Sequence, residues 1–182
     1  VDALLQVLSG IPADGPPILI AQHMPASFLE SFAARLERHC RASVSLSVDR
    51  EKMMPGHVYL ALGGETHAVL SDHDPCRIRH LRHNGFETYV PSVNLLFGSA
   101  VPHGDRVVGV MLTGMGSDGA SAMLEMRKAG AHTIVQDGES AVIDGMPKSA
   151  RDIGAAVEVA SLSKISARIL ASTSKSRQKV TS

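Results

Sequence analysis

The stretch from Arg106 to Ala120, R-V-V-G-V-M-L-T-G-M-G-S-D-G-A, restricts the possible folds of this chain more than any other. An apolar, β-branched run ends abruptly in a glycine-rich turn that holds one acid, Asp118. A helical pattern, Ala120 to Lys128, begins at once. A buried strand that empties into a glycine loop at a helix start is a feature of open α/β sheets. Backbone N–H groups and the positive end of the helix converge there, which makes such turns suited to anion binding or chemistry.

The second half of the chain repeats that alternation. Strand Val107 to Leu112 leads to helix Ala120 to Ala129, and strand His132 to Val135 leads through Asp144-Gly145 to helix Pro147 to Ile153. Strand Ala156 to Val159 then leads to helix Ser163 to Leu170. This order implies βαβ units, a parallel sheet and right-handed crossovers. The first half opens on a helical pattern, Val1 to Leu8, with Gly10 where a C-terminal glycine belongs. Ile18 to Ala21 follows as a buried strand, and Ser27 to His39 as an amphipathic helix with Phe28, Phe32 and Leu36 on one stripe.

Between them, Ser43 to Val48, His57 to Leu62, Thr66 to Leu70 and Arg77 to Arg82 read as antiparallel or edge strands with one wet face. Pro91 to Ser99 begins a further helix. The expectation is an α/β fold: a doubly wound, mostly parallel sheet with helices on both faces and an antiparallel hairpin. One domain would span residues 1–171, and the polar, basic stretch 172–182 would be a disordered tail. Because the sequence starts inside a helical pattern, without Met or a capping residue, an element begun upstream is expected.

Composition excludes several classes of function. Lys and Arg together number 18, as do Asp and Glu, so no net field draws the chain to nucleic acid or to an anionic membrane. Aromatic residues make up 3% and Trp is absent, which further weakens any model built on base-stacking platforms. No apolar run has membrane-spanning length and no signal peptide is evident, so neither nucleic acid nor membrane insertion is expected. The cysteines, Cys40 and Cys76, have neither metal nor disulfide-framework spacing, which suggests a reduced, cytoplasmic chain and inert thiols.

The glycine loop itself is open to three readings. Gly114, Gly116 and Gly119 form a literal G-x-G-x-x-G, and Asp137 follows roughly 20 residues on, where a ribose-binding acid would sit. That pattern fits a Rossmann-like nucleotide-binding domain. Against it, such a fingerprint normally opens a domain, and Asp118 would place negative charge beside a pyrophosphate. The loop could instead be a plain tight turn with Asp118 satisfying helix N–H groups, or a catalytic loop. His23, just past the end of a buried strand, supplies a partner for the last reading. A histidine and an aspartate at the C-terminal edges of parallel strands form two thirds of a hydrolase triad. The remaining histidines (His39, His57, His67, His73, His80, His83, His103, His132) show no metal-ligand spacing with a carboxylate. His80 and His83 read as a solvated face, and no metal is expected. Pro91-Ser92 reads as a helix start.

Several motifs occur in order: Gln22-His23-Met24-Pro25 after a strand, P-G-H-V-Y-L-A at Pro55 to Ala61, P-S-V-N-L-L-F at Pro91 to Phe97, T-G-M-G-S-D-G-A at Thr113 to Ala120, and D-G-M-P at Asp144 to Pro147. The series resembles the catalytic domain of the chemotaxis receptor methylesterases, CheB, from Val1 to about Leu170. The resemblance implies a Ser-His-Asp hydrolase that cleaves glutamate γ-methyl esters on methyl-accepting chemotaxis receptors, in their cytoplasmic helical region. It implies deamidation of receptor glutamines in many members, no cofactor, and regulation by an upstream receiver domain in a phosphorelay. The histidine matches His23, the aspartate Asp118, and the oxyanion-binding backbone N–H that of Met115. The family's nucleophile lies in a G-A-S-T-G-G motif directly before the helix at Val1-Asp2-Ala3-Leu4, so the first strand and the serine are expected to lie outside this sequence and the span to be inactive alone. Leu62 stands where relatives usually have proline.

Overall fold

The structure, a computed structural model, describes the backbone of residues 1–180 and the side chains of residues 1–174. Its elements run α1 (Asp2–Ser9), β1 (Ile18–Ile20), α2 (Ala26–His39), β2 (Ser43–Leu46), β3 (His57–Leu60), β4 (Thr66–Leu70), β5 (Ile78–Arg82) and α3 (Val93–Ala100). A 3₁₀ segment, Val101–Arg106, leads into β6 (Val108–Met111), α4 (Ala120–Lys128), β7 (His132–Gln136), α5 (Met146–Asp152), β8 (Glu158–Ala160) and α6 (Leu162–Val180). The α/β class and the antiparallel hairpin, β4 with β5 in register Thr66↔Arg82 to Leu70↔Ile78, are as the sequence pattern predicts.

The parallel strands fall into two sheets of three, ordered β1-β3-β2 and β6-β7-β8. Among the described residues, the outer edges of β1 and β6 have no strand partner. Alternation along each strand sends side chains to opposite faces. On β3, Val58 and Leu60 enter one apolar cluster while Tyr59 enters the other, and on β7 Ile134 and Val135 divide in the same way. One cluster takes in α1, α2 and α6 through Val7, Leu8, Phe32, Leu36, Ile165 and Ile169. The other takes in α3, α4, α5 and the hairpin through Leu96, Phe97, Met123, Met126, Ala150 and Ile78. The helices therefore cover both faces of the strands, and a strand buried on both sides accounts for the unbroken apolar runs in the sequence.

The structure corrects the sequence pattern in four places. β3 is the central strand of a parallel sheet, not an antiparallel or edge strand. Its polar groups are satisfied internally: His57 stacks on Tyr59 at 4.4 Å and bonds the Ser45 hydroxyl at 2.8 Å, and the Tyr59 hydroxyl accepts the Met54 N–H. Polar letters thus conceal a buried strand. Gly10 has an ordinary right-handed conformation (φ −83°), so it is not there for a left-handed cap. A Cβ at Gly10 would lie 2.6 Å from the Ser166 hydroxyl, and the glycine instead lets α1 approach α6 closely. β8 begins at Glu158, later than predicted, since the Ala156 carbonyl is taken by the Arg127 guanidinium at 3.0 Å.

Finally, α6 continues to Val180, through most of the stretch assigned to a disordered tail; residues 181 and 182 lie outside the described residues. The hydroxyls of Ser172, Thr173 and Ser174 donate back to the carbonyls of Arg168, Ile169 and Leu170, so these polar side chains are bonded within the helix itself.

Ile134 is fully buried (0% exposed) in the strand that β6 and β8 flank. Ile134→Ala is expected to cost about 2–5 kcal/mol in urea unfolding, from lost burial plus a cavity. Val142→Ala, at a position 90% exposed, is expected to cost under about 0.5 kcal/mol. Equal costs would contradict this account of the core.

Candidate active site

β1 and β6 each deliver a loop to the carboxyl edge of the sheets. The first carries His23 between β1 and α2, with Pro25 (φ −58°) shaping the start of the helix. The second is the glycine loop that carries Asp118. The two residues, 95 apart in sequence, meet with His23 Nε2 2.8 Å from Asp118 Oδ2. The side chain of Asp118 is only 7% exposed. Besides the histidine it accepts the Val93 N–H at 2.8 Å, the Asn94 N–H at 3.0 Å and the Ser92 hydroxyl at 3.3 Å.

Burial alone would raise the Asp118 pKa. The bonds from His23, Val93 and Asn94 outweigh it and hold the carboxyl below its ordinary range. An ionised carboxylate can only accept, so His23 Nε2 carries the donated proton. Nδ1 then remains as the basic nitrogen of the neutral ring.

Asp118 therefore satisfies helix N–H groups and orients a histidine at once, although the helix it caps is α3 rather than its own α4. The arrangement is reciprocal. Asn94, in the first turn of α3, accepts the Ala122 N–H at 3.1 Å and the Ser121 hydroxyl at 2.8 Å at the start of α4. Ser92 is the N-cap of α3, accepting the Leu95 N–H, as its reading as a helix start predicts.

The glycines have separate tasks. Gly116 (φ +90°) and Gly119 (φ +88°) occupy the left-handed region, where glycine is unstrained. The loop is bound along one side to residues 143–146. The Gly114 N–H donates to Ile143 O at 3.0 Å, and the Gly145 and Met146 N–H groups donate to Gly114 O at 3.1 and 2.8 Å. A Cβ at Gly145 would lie 2.8 Å from Gly114 O, so only glycine permits this contact. Met115 projects at the crest, 73% exposed, and its N–H meets no acceptor among the described residues. Asp137, the candidate ribose acid, is engaged locally by the Ser140 N–H and hydroxyl. Those bonds hold its pKa below the ordinary value.

Sequence reasoning missed Tyr89. Its ring stacks on His23 with centroids 4.6 Å apart and planes 12° from parallel. It is one of only two tyrosines in the chain, the single signal that could have drawn notice. Cys40 and Cys76 are partly buried and unpaired, and burial chiefly pushes both thiols up in pKa, which fits their reading as inert.

The hairpin corrects the reading of the histidines. Strand pairing brings His67 and His83 together with Glu87, a set with a carboxylate that no local spacing reveals. His67 Nε2 lies 3.2 Å from His83 Nδ1 and 3.6 Å from Glu87 Oε2, and the latter two are 3.4 Å apart. Such distances suit tetrahedral zinc, whose bonds of about 2.0–2.1 Å separate ligand atoms by roughly 3.4 Å. The tautomer does not suit it. The Ser92 N–H donates to His67 Nδ1 at 3.0 Å, so the proton of the neutral ring sits on Nε2, the atom a metal would need bare. Burial lowers the pKa of His67, consistent with a neutral ring. The two histidines are hydrogen-bonded to each other, with His67 the donor, and the Glu87 carboxylate faces both rings. His80 is not a solvated residue either, since it bonds the buried Ser47 hydroxyl at 2.9 Å.

The sequence pattern of the CheB methylesterase family matches residues 1–169. The chain belongs to the CheB methylesterase family. A protein-glutamate methylesterase/protein-glutamine glutaminase of Bordetella bronchiseptica is 48% identical over 171 residues, covering 93% of this chain and 49% of that protein. The namesake in Paraburkholderia xenovorans is 45% identical over 172 residues, with 93% and 47% covered. The chain thus spans about half the length of the curated relatives it matches. The crystal structure of the Thermotoga maritima CheB methylesterase catalytic domain superposes with a TM-score of 0.85 at 29% identity, covering 93% of this chain and 91% of that one. CheB family membership removes the support for a nucleotide-binding reading of Gly114, Gly116, Gly119 and Asp137.

Asp118→Asn keeps the shape of the side chain but not its four acceptor positions. It is expected to destabilise the fold by about 1.5–3 kcal/mol at neutral pH, the scale of bonds to a charged group. Because the folded pKa lies below the unfolded value of about 3.9, the ionised form's contribution is complete above that value and is lost as pH falls through the folded pKa. The gap between wild type and Asp118→Asn should therefore narrow below about pH 4. Urea melts that show a constant gap from neutral pH to the acid limb would refute the assignment.

Proposed function

We propose that His23 and Asp118 are the general base and its orienting acid in a serine hydrolase acting on glutamate γ-methyl esters of methyl-accepting chemotaxis receptors. The observation that carries this is the 2.8 Å contact between His23 Nε2 and a buried, ionised Asp118, which leaves His23 Nδ1 free to take a proton. The names of the relatives, which pair methylesterase with glutaminase activity, support the substrate class.

In this reading a serine hydroxyl gives its proton to His23 Nδ1 as its oxygen attacks the ester carbonyl carbon. The tetrahedral oxyanion is met by the Met115 N–H, a donor with no partner among the described residues. As the C–O bond to the methoxy group breaks, His23 returns the proton to that oxygen and methanol departs. Water, deprotonated by His23, then cleaves the glutamyl-serine ester, restoring the serine and leaving a free glutamate. A receptor glutamine follows the same course with ammonia as the leaving group. Asp118 remains ionised throughout, fixing the tautomer and stabilising the imidazolium.

No hydroxyl or thiol among the described residues bonds to His23. The nucleophile in this proposal is the serine of the G-A-S-T-G-G motif that the family resemblance implies. The receptors' cytoplasmic helical region as partner, a cytoplasmic location and control by a receiver domain belong to the same proposal. No helix among the described residues is long and apolar enough to cross a membrane.

The test is methanol release from methylated receptor by the chain preceded by a strand ending in G-A-S-T-G-G. Release is expected, and His23→Ala should reduce kcat by about 10²–10⁴-fold, the range of general-base catalysis. A folded but silent protein, or a His23→Ala variant as active as its parent, would remove the proposal.

A further inference from the structure

We infer that Tyr89 is a positioning residue for the His23 ring, held in place by the Glu87–His83–His67 cluster of the hairpin. The inference rests on His23 being the base.

A ring held at one nitrogen can still turn about that contact. His23 has such a tether at Nε2, and its side chain is 23% exposed, so burial does not immobilise it. A flat partner lying against its face at 4.6 Å and 12° blocks the turn and fixes the direction in which Nδ1 points. Tyr89 is that partner. Its hydroxyl oxygen lies 3.2 Å from where a Cβ on Gly116 would be, so the phenol spans from the histidine to the loop that carries Met115. The absence of a side chain at Gly116 makes room for it.

Tyr89 belongs to the irregular stretch between β5 and α3, which has no strand or helix of its own to hold it. Glu87, two residues earlier, supplies the anchor through Oε2, 3.4 Å from His83 Nδ1 and 3.6 Å from the buried His67 Nε2. Three residues after Tyr89, Ser92 ties the other end. Its N–H goes to His67 Nδ1 and its hydroxyl to Asp118. The histidine that receives Ser92 thus also faces Glu87, and the segment carrying Tyr89 is closed on itself across one buried imidazole. This gives the cluster a role that metal binding does not.

Nitrogen and proton NMR of the histidine rings in the 182-residue chain tests the inference without requiring turnover. A silent esterase would leave the measurement intact. In the wild type, His23 should show a slowly exchanging Nε2–H and a single tautomer with bare Nδ1. Tyr89→Phe keeps the stack and should retain both. Tyr89→Ala should lose the Nε2–H signal to water exchange and mix the tautomers, with the amide spectrum otherwise preserved. Glu87→Gln should weaken the signal in the same direction. If Tyr89→Ala does not fold, Tyr89→Leu, which keeps apolar cover without a flat face, should show the same loss. The inference is overturned if Tyr89→Ala, or Leu in its place, keeps the protected proton and tautomer, or if Tyr89→Phe loses them. It is likewise overturned if the wild type lacks them.

Discussion

A single carboxylate, that of Asp118, holds together the parts that matter here. Four donors from two loops and a helix start converge on it: the His23 ring, the Val93 and Asn94 amides, and the Ser92 hydroxyl. Two of these are N–H groups that the first turn of any helix leaves without intrahelical partners. By satisfying them the carboxylate fixes α3 against α4, and Asn94 returns the service to the α4 start. Stability and the geometry of the histidine are therefore coupled through one group. Removing the charge loosens both, because charge-assisted bonds are stronger than neutral ones and leave larger gaps when lost.

That convergence depends on the sheet edges. Parallel strands all deliver their loops to the same end, so a residue just after β1 and one just after β6 can meet although they are distant in the chain. The apolar clusters on the two faces hold β1 and β6 from opposite sheets in one body, through Ile20 and Leu19 on one hand and Val110 and Met111 on the other. The glycine loop is also tied down through a side chain, the Thr113 hydroxyl donating to Ile143 O at 3.0 Å. Its backbone is bonded to residues 143–146 and to the buried Gln136, whose side-chain amide oxygen (Oε1) accepts the Thr113 N–H at 2.8 Å. Rigid elements beneath and bonded loops above are what a preorganised site requires.

Much of this was legible in sequence because it is local. Apolar runs marked β1, β6 and β7, helical spacing marked α2 and α4, and the glycines marked the turn at Asp118. His23 and Asp118 could be paired as candidates since both follow strands predicted to be parallel. Legibility failed where a polar residue is satisfied inside the protein. His57 and Tyr59 made β3 look half wet, and serines and a threonine concealed the continuation of α6. It failed again for Tyr89, His67, His83 and Glu87, whose roles come from contacts across a hairpin and between loops.

The sequence by itself determined the order of strands and helices, the motif series of the CheB family, and the two residues whose side chains meet at the sheet edge. Those follow from periodicity, turn chemistry and residue type, which act over a few neighbours. Only the tertiary structure decided that Asp118 caps α3 rather than α4, that Nε2 rather than Nδ1 of His23 faces it, and that a tyrosine covers the imidazole. It also decided that two histidines and a glutamate with zinc-like spacing do not present a bare nitrogen to a metal, because the proton on His67 is placed by an amide 25 residues away. Hydrogen-bond direction and ring orientation depend on groups far apart in the chain, and a linear sequence carries no record of which donor will face which acceptor.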